Sequence, residues 1–145
     1  MNISKKTRYA SRALIELGLL YEKKKKPVTL TEISKNQKIP VRYLENIFNA
    51  LVNAKILHGV RGKGGGFILS KPVHNIFLSD VIQIFDPPLK NIECVDDVEK
   101  CSLYNTCVMR DIWSGLAVHL IEYLGKYSLQ DLMDKARKDE NMFYI

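Results

Sequence analysis

Thr29-Leu30-Thr31-Glu32-Ile33-Ser34-Lys35-Asn36-Gln37-Lys38-Ile39-Pro40-Val41-Arg42-Tyr43-Leu44-Glu45-Asn46-Ile47-Phe48 is the stretch from which the rest of the chain becomes readable. Thr29 with Glu32 three residues on forms a capping box: the hydroxyl accepts from the third helical amide, and the carboxylate reaches back to the amide of Thr29. A short helix is expected from there to Lys35 or Asn36. Pro40 suits the start of another, because the N–H it lacks has no partner at that position. Leu44, Ile47, Phe48, Leu51 and Val52 then recur at helical spacing, which leaves Arg42, Tyr43, Glu45, Asn46 and Asn49 facing outward. Two helices joined by a turn of about four residues predict a helix-turn-helix.

Upstream, Ala10, Ala13, Leu14, Leu17 and Tyr21 share one face of a helix that closes at the lysines of 23–26 and Pro27. Cations suit such a helix end, so the lysine run by itself indicates no ligand. Downstream, Ile56, Leu57 and Val60 predict a strand, and Phe67, Ile68 and Leu69 its return. Arg61-Gly62-Lys63-Gly64-Gly65-Gly66 joins them, a hairpin with two cations at its tip, which is the form of a wing beside a helix-turn-helix. A phosphate-binding loop needs Lys then Ser or Thr after its last glycine, opening a helix; here Phe67 follows in a strand-type run.

A short helix is expected over 79–85, closed by Asp86-Pro87-Pro88. From about Thr106, Ile112, Trp113, Leu116, Ala117, Leu120, Ile121 and Leu124 predict a helix of roughly five turns with a wide apolar face. One small domain rarely buries so much, so a homodimer paired through this helix is expected. Ser128-Leu129-Gln130-Asp131 caps a last helix to about Lys138, with a fraying tail to Ile145. The fold class expected is mostly α with a small β-hairpin. A winged helix-turn-helix domain spans 1–86, a cysteine-bearing loop 87–107, and the dimerisation and C-terminal helices 108–145.

Charge is unevenly shared. Residues 1–72 hold fifteen Lys/Arg against four Asp/Glu, and residues 73–145 hold seven against twelve. A basic front half gains free energy by displacing counterions from a phosphate backbone, which points to nucleic acid. No apolar run approaches the roughly 20 residues of a membrane span, and the opening Met1-Asn2-Ile3-Ser4-Lys5-Lys6 lacks the pattern of a signal peptide. A cytoplasmic location is expected. Thiols stay reduced there, so the three cysteines Cys94, Cys101 and Cys107 read as metal-binding or redox-active residues ahead of a disulfide framework.

Ile3-Ser4-Lys5-Lys6-Thr7-Arg8-Tyr9-Ala10, Tyr43-Leu44-Glu45-Asn46-Ile47-Phe48, Val60-Arg61-Gly62 with Gly64-Gly65-Gly66-Phe67, and the late cysteines together resemble the Rrf-two family of winged-helix transcription regulators. The likeness covers about residues 1–125, and the joint occurrence of these motifs is more specific than any one of them. It implies a dimeric protein that binds double-stranded DNA at a palindromic operator. For the IscR-like and NsrR-like branches it implies an iron-sulfur cluster, two-iron or four-iron, held by the three cysteines.

With the helix from Pro40 in the major groove, its first residues are best placed for base edges. Arg42 suits guanine, Asn46 adenine, and Glu45 accepts from cytosine while repelling phosphate; Tyr43 lies beside them. Likeness to the IscR branch supports Glu45 as a selectivity residue, whereas a small polar residue is usual at the Arg42 position. Arg61, Gly62 and Lys63 are expected at the minor groove or phosphates, Lys5, Lys6 and Arg8 at the flanking backbone, and Thr29 joins the DNA-facing set.

The spacing Cys94-x6-Cys101-x5-Cys107 is wider than the Cys-x2-Cys pairs of zinc knuckles and suits an open loop around a larger, soft group. Zinc, a thiol switch and no role remain alternatives. The fourth ligand is open. IscR-like chains have histidine where this one has Arg110, NsrR-like chains take an acidic residue from the partner's first helix where this one has Arg8, and the first cysteine gap is one residue longer than the IscR-like pattern. Arginine stays protonated and cannot ligate iron. Glu93, Asp96, Asp97, Glu99, a residue from the partner, or a small thiol or water remain. His58, His74 and His119 lack spacing to the cysteines and read as structural. A second class of reading is a repressor sensing a metabolite, a partner protein or thiol oxidation without a cluster. An enzyme is not expected, because no nucleophile or metalloprotease motif occurs.

Overall fold

Three helices raise the scaffold before any strand forms. The computed structural model describes residues 2–87, 95 and 97–139. Cys94, Glu93 and Asp96 and the tail to Ile145 lie outside the described residues. Helix α1 (Lys5–Lys24) begins where the Ser4 hydroxyl accepts from the Thr7 amide, and it ends at Lys25 in the left-handed region. Ala10, Ala13, Leu14 and Leu17 are buried along it and Tyr21 half-buried, as the spacing predicts. Helix α2 (Leu30–Gln37) starts with the capping box: Glu32 N donates to Thr29 Oγ1, and Thr29 N to Glu32 Oε2 at 3.0 Å. It runs past the expected end because the Gln37 side chain is buried and bonded to α1. Helix α3 (Val41–Asn53) follows Pro40 and buries Leu44, Ile47, Phe48 and Leu51.

Strands β1 (Leu57–Val60) and β2 (Gly66–Leu69) pair antiparallel, from Leu57 opposite Leu69 to Val60 opposite Gly66. Val28 joins them, bonded both ways to Phe67 at 2.8 and 3.0 Å, so the wing is also tied to the segment between α1 and α2. Gly66 has a φ of 153°, and a Cβ there would lie 2.5 Å from the Val28 oxygen, so a side chain would break this junction. Phe48 meets Phe67 edge to face at 5.0 Å, which sets the wing against α3.

Helix α4 (Leu78–Phe85) precedes the cysteine segment, and α5 (Val108–Leu124) follows it. Helix α6 (Leu129–Lys138) then returns to α1, with Leu129, Met133 and Ala136 in the same buried cluster and Met133 seated on Gly18. The core of the front half is thus completed by the far end of the chain. Leu78 N donates to Tyr127 O and Leu129 N to Ile76 O, which fasten the start of α6 to the start of α4. The hydrogen bonds of Ser128, hydroxyl first and amide second, hold the Asp131 carboxyl below its ordinary value. This capping box therefore contributes at neutral pH and is lost as pH falls through that lowered value.

Candidate nucleic-acid interface and cysteine segment

Burying one stripe of α3 leaves a polar face, and Arg42, Glu45, Asn46 and Asn49 are all exposed on it. Tyr43 is half-buried instead, its ring edge to face with Tyr9 of α1 at 5.4 Å. Lys5 Nζ lies 5.5 Å and Arg12 Cζ 5.7 Å from the same Tyr9 ring, so one aromatic side chain gathers a cation of the helix start and the flank of the expected recognition helix. Tyr43 therefore belongs to the scaffold that sets α3 on α1 as well as to the outward set.

A buried network that no motif signalled fixes the turn between α2 and α3. Arg12 donates to Gln37 Oε1 at 3.1 Å and to the Gln37 carbonyl at 2.6 Å. Gln37 Nε2 donates to Glu16 Oε2 at 2.8 Å, and Asn36 Nδ2 to Glu16 Oε1 at 2.6 Å. Glu16 is 8% exposed, and its two carboxylate oxygens are each satisfied by a side-chain amide. In sequence these four look like ordinary helix-surface residues, because their partners lie some twenty positions away.

At the wing tip Arg61, Gly62 and Lys63 are exposed, with Gly62 at a φ of 92° and its carbonyl accepting from Gly65 N at 3.0 Å. Lys5, Lys6 and Arg8 are exposed on the first turns of α1. The Thr29 hydroxyl is committed within the chain, accepting from Glu32 N and donating to Glu32 Oε2, while Lys24 pairs with Glu32. An Arg61→Ala, Lys63→Ala variant is expected to bind all duplexes more weakly without changing sequence preference. Its plot of log affinity against log salt should be shallower by about two, one unit per lost phosphate contact. Titrations of specific and random duplexes across salt concentrations check this, and an unchanged slope excludes the wing tip from the contact.

Cys101 and Cys107 are half-buried free thiols. Between them the chain turns twice, through Tyr104 N to Cys101 O at 3.1 Å and Thr106 N to Leu103 O at 3.0 Å, and Cys107 is the residue that precedes the first turn of α5. Arg110 clamps this segment: its Nη1 donates to the Tyr104 carbonyl at 2.9 Å, its guanidinium covers the Tyr104 ring at 4.5 Å, and it pairs with Asp111. Asp97 caps a short 3-10 turn over Val98–Lys100 by accepting from Glu99 N. Among the described residues no three His, Cys, Asp or Glu side chains converge on a metal. His58, His74 and His119 are exposed, and the two contacts that the structure gives them are His58 with Ser70 and His119 with Glu122.

Helix α5 is covered along little of its length. Ala117 is its buried residue, while Val108, Ile112, Leu116, Val118 and Tyr123 are each more than half exposed, at 53% to 78%. Trp113 is 39% exposed. No described helix is long and apolar enough to cross a membrane.

The sequence profile of the Rrf2 (Rrf-two) family, described as an iron-dependent transcriptional regulator, matches residues 3–135. The HTH-type transcriptional regulator IscR of Xenorhabdus nematophila is 32% identical over 133 residues, 92% of this chain and 79% of that one. Among solved structures, IscR of T. potens superposes with a TM-score of 0.74 at 25% identity, covering 98% of this chain and 91% of that one. CymR, the global cysteine regulator of B. subtilis, gives 0.72 at 26% identity, covering 93% and 98%.

Proposed function

Because the chain belongs to the Rrf2 family of transcriptional regulators, we propose that it is a homodimeric, sequence-specific DNA-binding regulator whose operator affinity follows an iron-sulfur cluster held by Cys94, Cys101 and Cys107. The observation that carries the DNA-binding half is the face of α3. Arg42, Glu45 and Asn46 stand exposed on α3, and the wing that carries Arg61 and Lys63 is set against that helix through Phe48 and Phe67. Arg42 and Asn46 offer bidentate donors to guanine and adenine, and Glu45 accepts from cytosine N4. Lys5, Lys6, Arg8, Arg61 and Lys63 contact phosphates or the minor groove, and the α2 start at Thr29 lies along the backbone. Two α5 helices paired through their apolar faces bring two such heads onto a palindrome.

The donor chemistry of the cysteine segment fits a cluster. Cys101 and Cys107 are unbridged thiols on a turn-rich segment that leaves them half-buried, and thiolates suit a soft iron centre. When bound, the group supplies one-electron redox chemistry and reactivity toward oxygen or nitric oxide. Arg110 occupies the position where histidine is expected from the resemblance, and its guanidinium is spent on Tyr104 and Asp111, so the three thiolates are the ligands proposed from this chain. Occupancy of the segment acts on the start of α5, where Cys107 stands, and through that helix on the spacing of the two heads.

Anaerobic purification with iron and sulfide analysis and an absorption spectrum tests the cofactor. Absorbance near ~400 nm with stoichiometric iron and sulfide is expected of thiolate-bound clusters. Operator titrations of loaded and cluster-free protein then test the control, with a coupling of about 1–3 kcal/mol expected. The likeness to CymR and the two free thiols favour a second reading, a regulator that senses a thiol oxidant, metabolite or partner protein. A colourless protein without iron whose operator binding responds to oxidant would establish that one instead.

A further inference from the structure

Asp86 stands at a joint between the two halves of the molecule. It ends α4, and the cysteine segment starts at the next residue. Its Oδ2 accepts two hydrogen bonds of 2.7 Å, from the amide of Ser4 and from the hydroxyl of Thr7, which lie 82 and 79 positions away in the chain. Those two residues are the N-terminal cap of α1, where Ser4 Oγ accepts from Thr7 N at 3.2 Å. Thr7 is buried, at 4% exposed, so this is a packed contact and not a surface encounter. Helix α1 has no acidic residue in its own first turn. Asp86 therefore supplies from a distance the negative charge that the exposed amides of a helix start favour.

The same turn bears Lys5, Lys6 and Arg8, all exposed. A free helix start frays, and long cationic side chains on a frayed turn lose conformational entropy when they settle on phosphates. Anchored by Asp86, they are held in one register relative to α3, whose Tyr43 packs on Tyr9 one turn further along.

We infer that Asp86 is a positioning residue that sets the DNA-facing end of α1 relative to α3. This rests on the DNA-binding reading above. Loss of the Asp86 carboxylate releases Ser4 and Thr7 together, and the cationic turn with them.

The test uses the full chain with Asp86→Ala and Thr7→Val. Amide exchange across residues 5–8, measured without DNA, is expected to speed up in both variants, and unchanged exchange overturns the anchoring itself. In operator titrations Asp86→Ala is expected to bind about tenfold more weakly, as loss of hydrogen bonds to a charged group implies. Its salt slope should also be shallower by about one to three units, which a mere loss of folded protein does not produce. Wild-type affinity and salt slope in Asp86→Ala overturn the inference. Should that variant not fold, Thr7→Val carries the same readings, since it removes one hydroxyl at constant shape. A wild-type protein that binds no duplex refutes the DNA-binding reading and this role with it, whereas exchange at residues 5–8 still reports on the anchor.

Discussion

A Trp113→Glu, Leu116→Glu double variant is expected to sediment as a monomer and to lose about a hundredfold to ten-thousandfold in operator affinity, the range by which linking two sites exceeds one. Both side chains belong to the exposed apolar set on α5, at 39% and 53% exposure, one turn apart. A carboxylate forced into a dry interface has no partner there, and burying it costs several kcal/mol or keeps the helices apart. Each monomer retains its α1–α2–α3 core, because the buried cluster includes α6 but none of α5. Half-site binding should therefore survive with a salt slope about half that of the dimer. Sedimentation velocity and operator titration decide it; a double variant that still sediments as a dimer removes α5 from the interface.

Phe48→Ala is expected to cost about 3–5 kcal/mol, the range for removing a buried phenyl ring. Phe48 is 0% exposed and lies at the centre of the helix-turn-helix core, with its ring edge to face against Phe67. Its loss opens a cavity beneath α3 and frees the wing from it. Urea unfolding followed by circular dichroism gives the cost, and a drop under about 1 kcal/mol would show that the site collapses around the gap. A cycle with Phe67→Ala isolates the ring pair, expected at about 0.5–1.5 kcal/mol. Operator affinity should fall further than the folded fraction explains, because the wing and α3 no longer move as one body.

Much of this was legible along the chain, for local reasons. The boxes Thr29/Glu32 and Ser128/Asp131 announce helix starts because cap and partner lie three residues apart, and both form. The apolar stripe of α3 survives into the structure because burial of one face follows from a period of 3.6, and the two apolar runs about the glycines of the wing pair as a hairpin because a short glycine-rich turn joins them. The family likeness was carried by residues 3–10, 43–48, 60–62 and 64–67 together with the late cysteines.

Non-local pairing was not legible. Val28 carried no strand signal, since a single residue bridging Phe67 has no period of its own. Arg12, Glu16, Asn36 and Gln37 are helix-surface types whose network exists because α1 and α2 cross at that point. Tyr43 reads as an outward residue of the second helix, and its edge-to-face contact with Tyr9 depends on how α3 meets α1.

Sequence by itself determined the helix-turn-helix, the wing, the cationic front half and the cysteine spacing, all of which depend on residues that are neighbours in the chain. Tertiary structure alone decided that α6 closes the core of the first helices and that Asp86 holds the start of α1. The reason is physical. A hydrogen bond or a packed contact between residues some eighty positions apart depends on where the folded chain carries each of them, and no local pattern encodes that meeting.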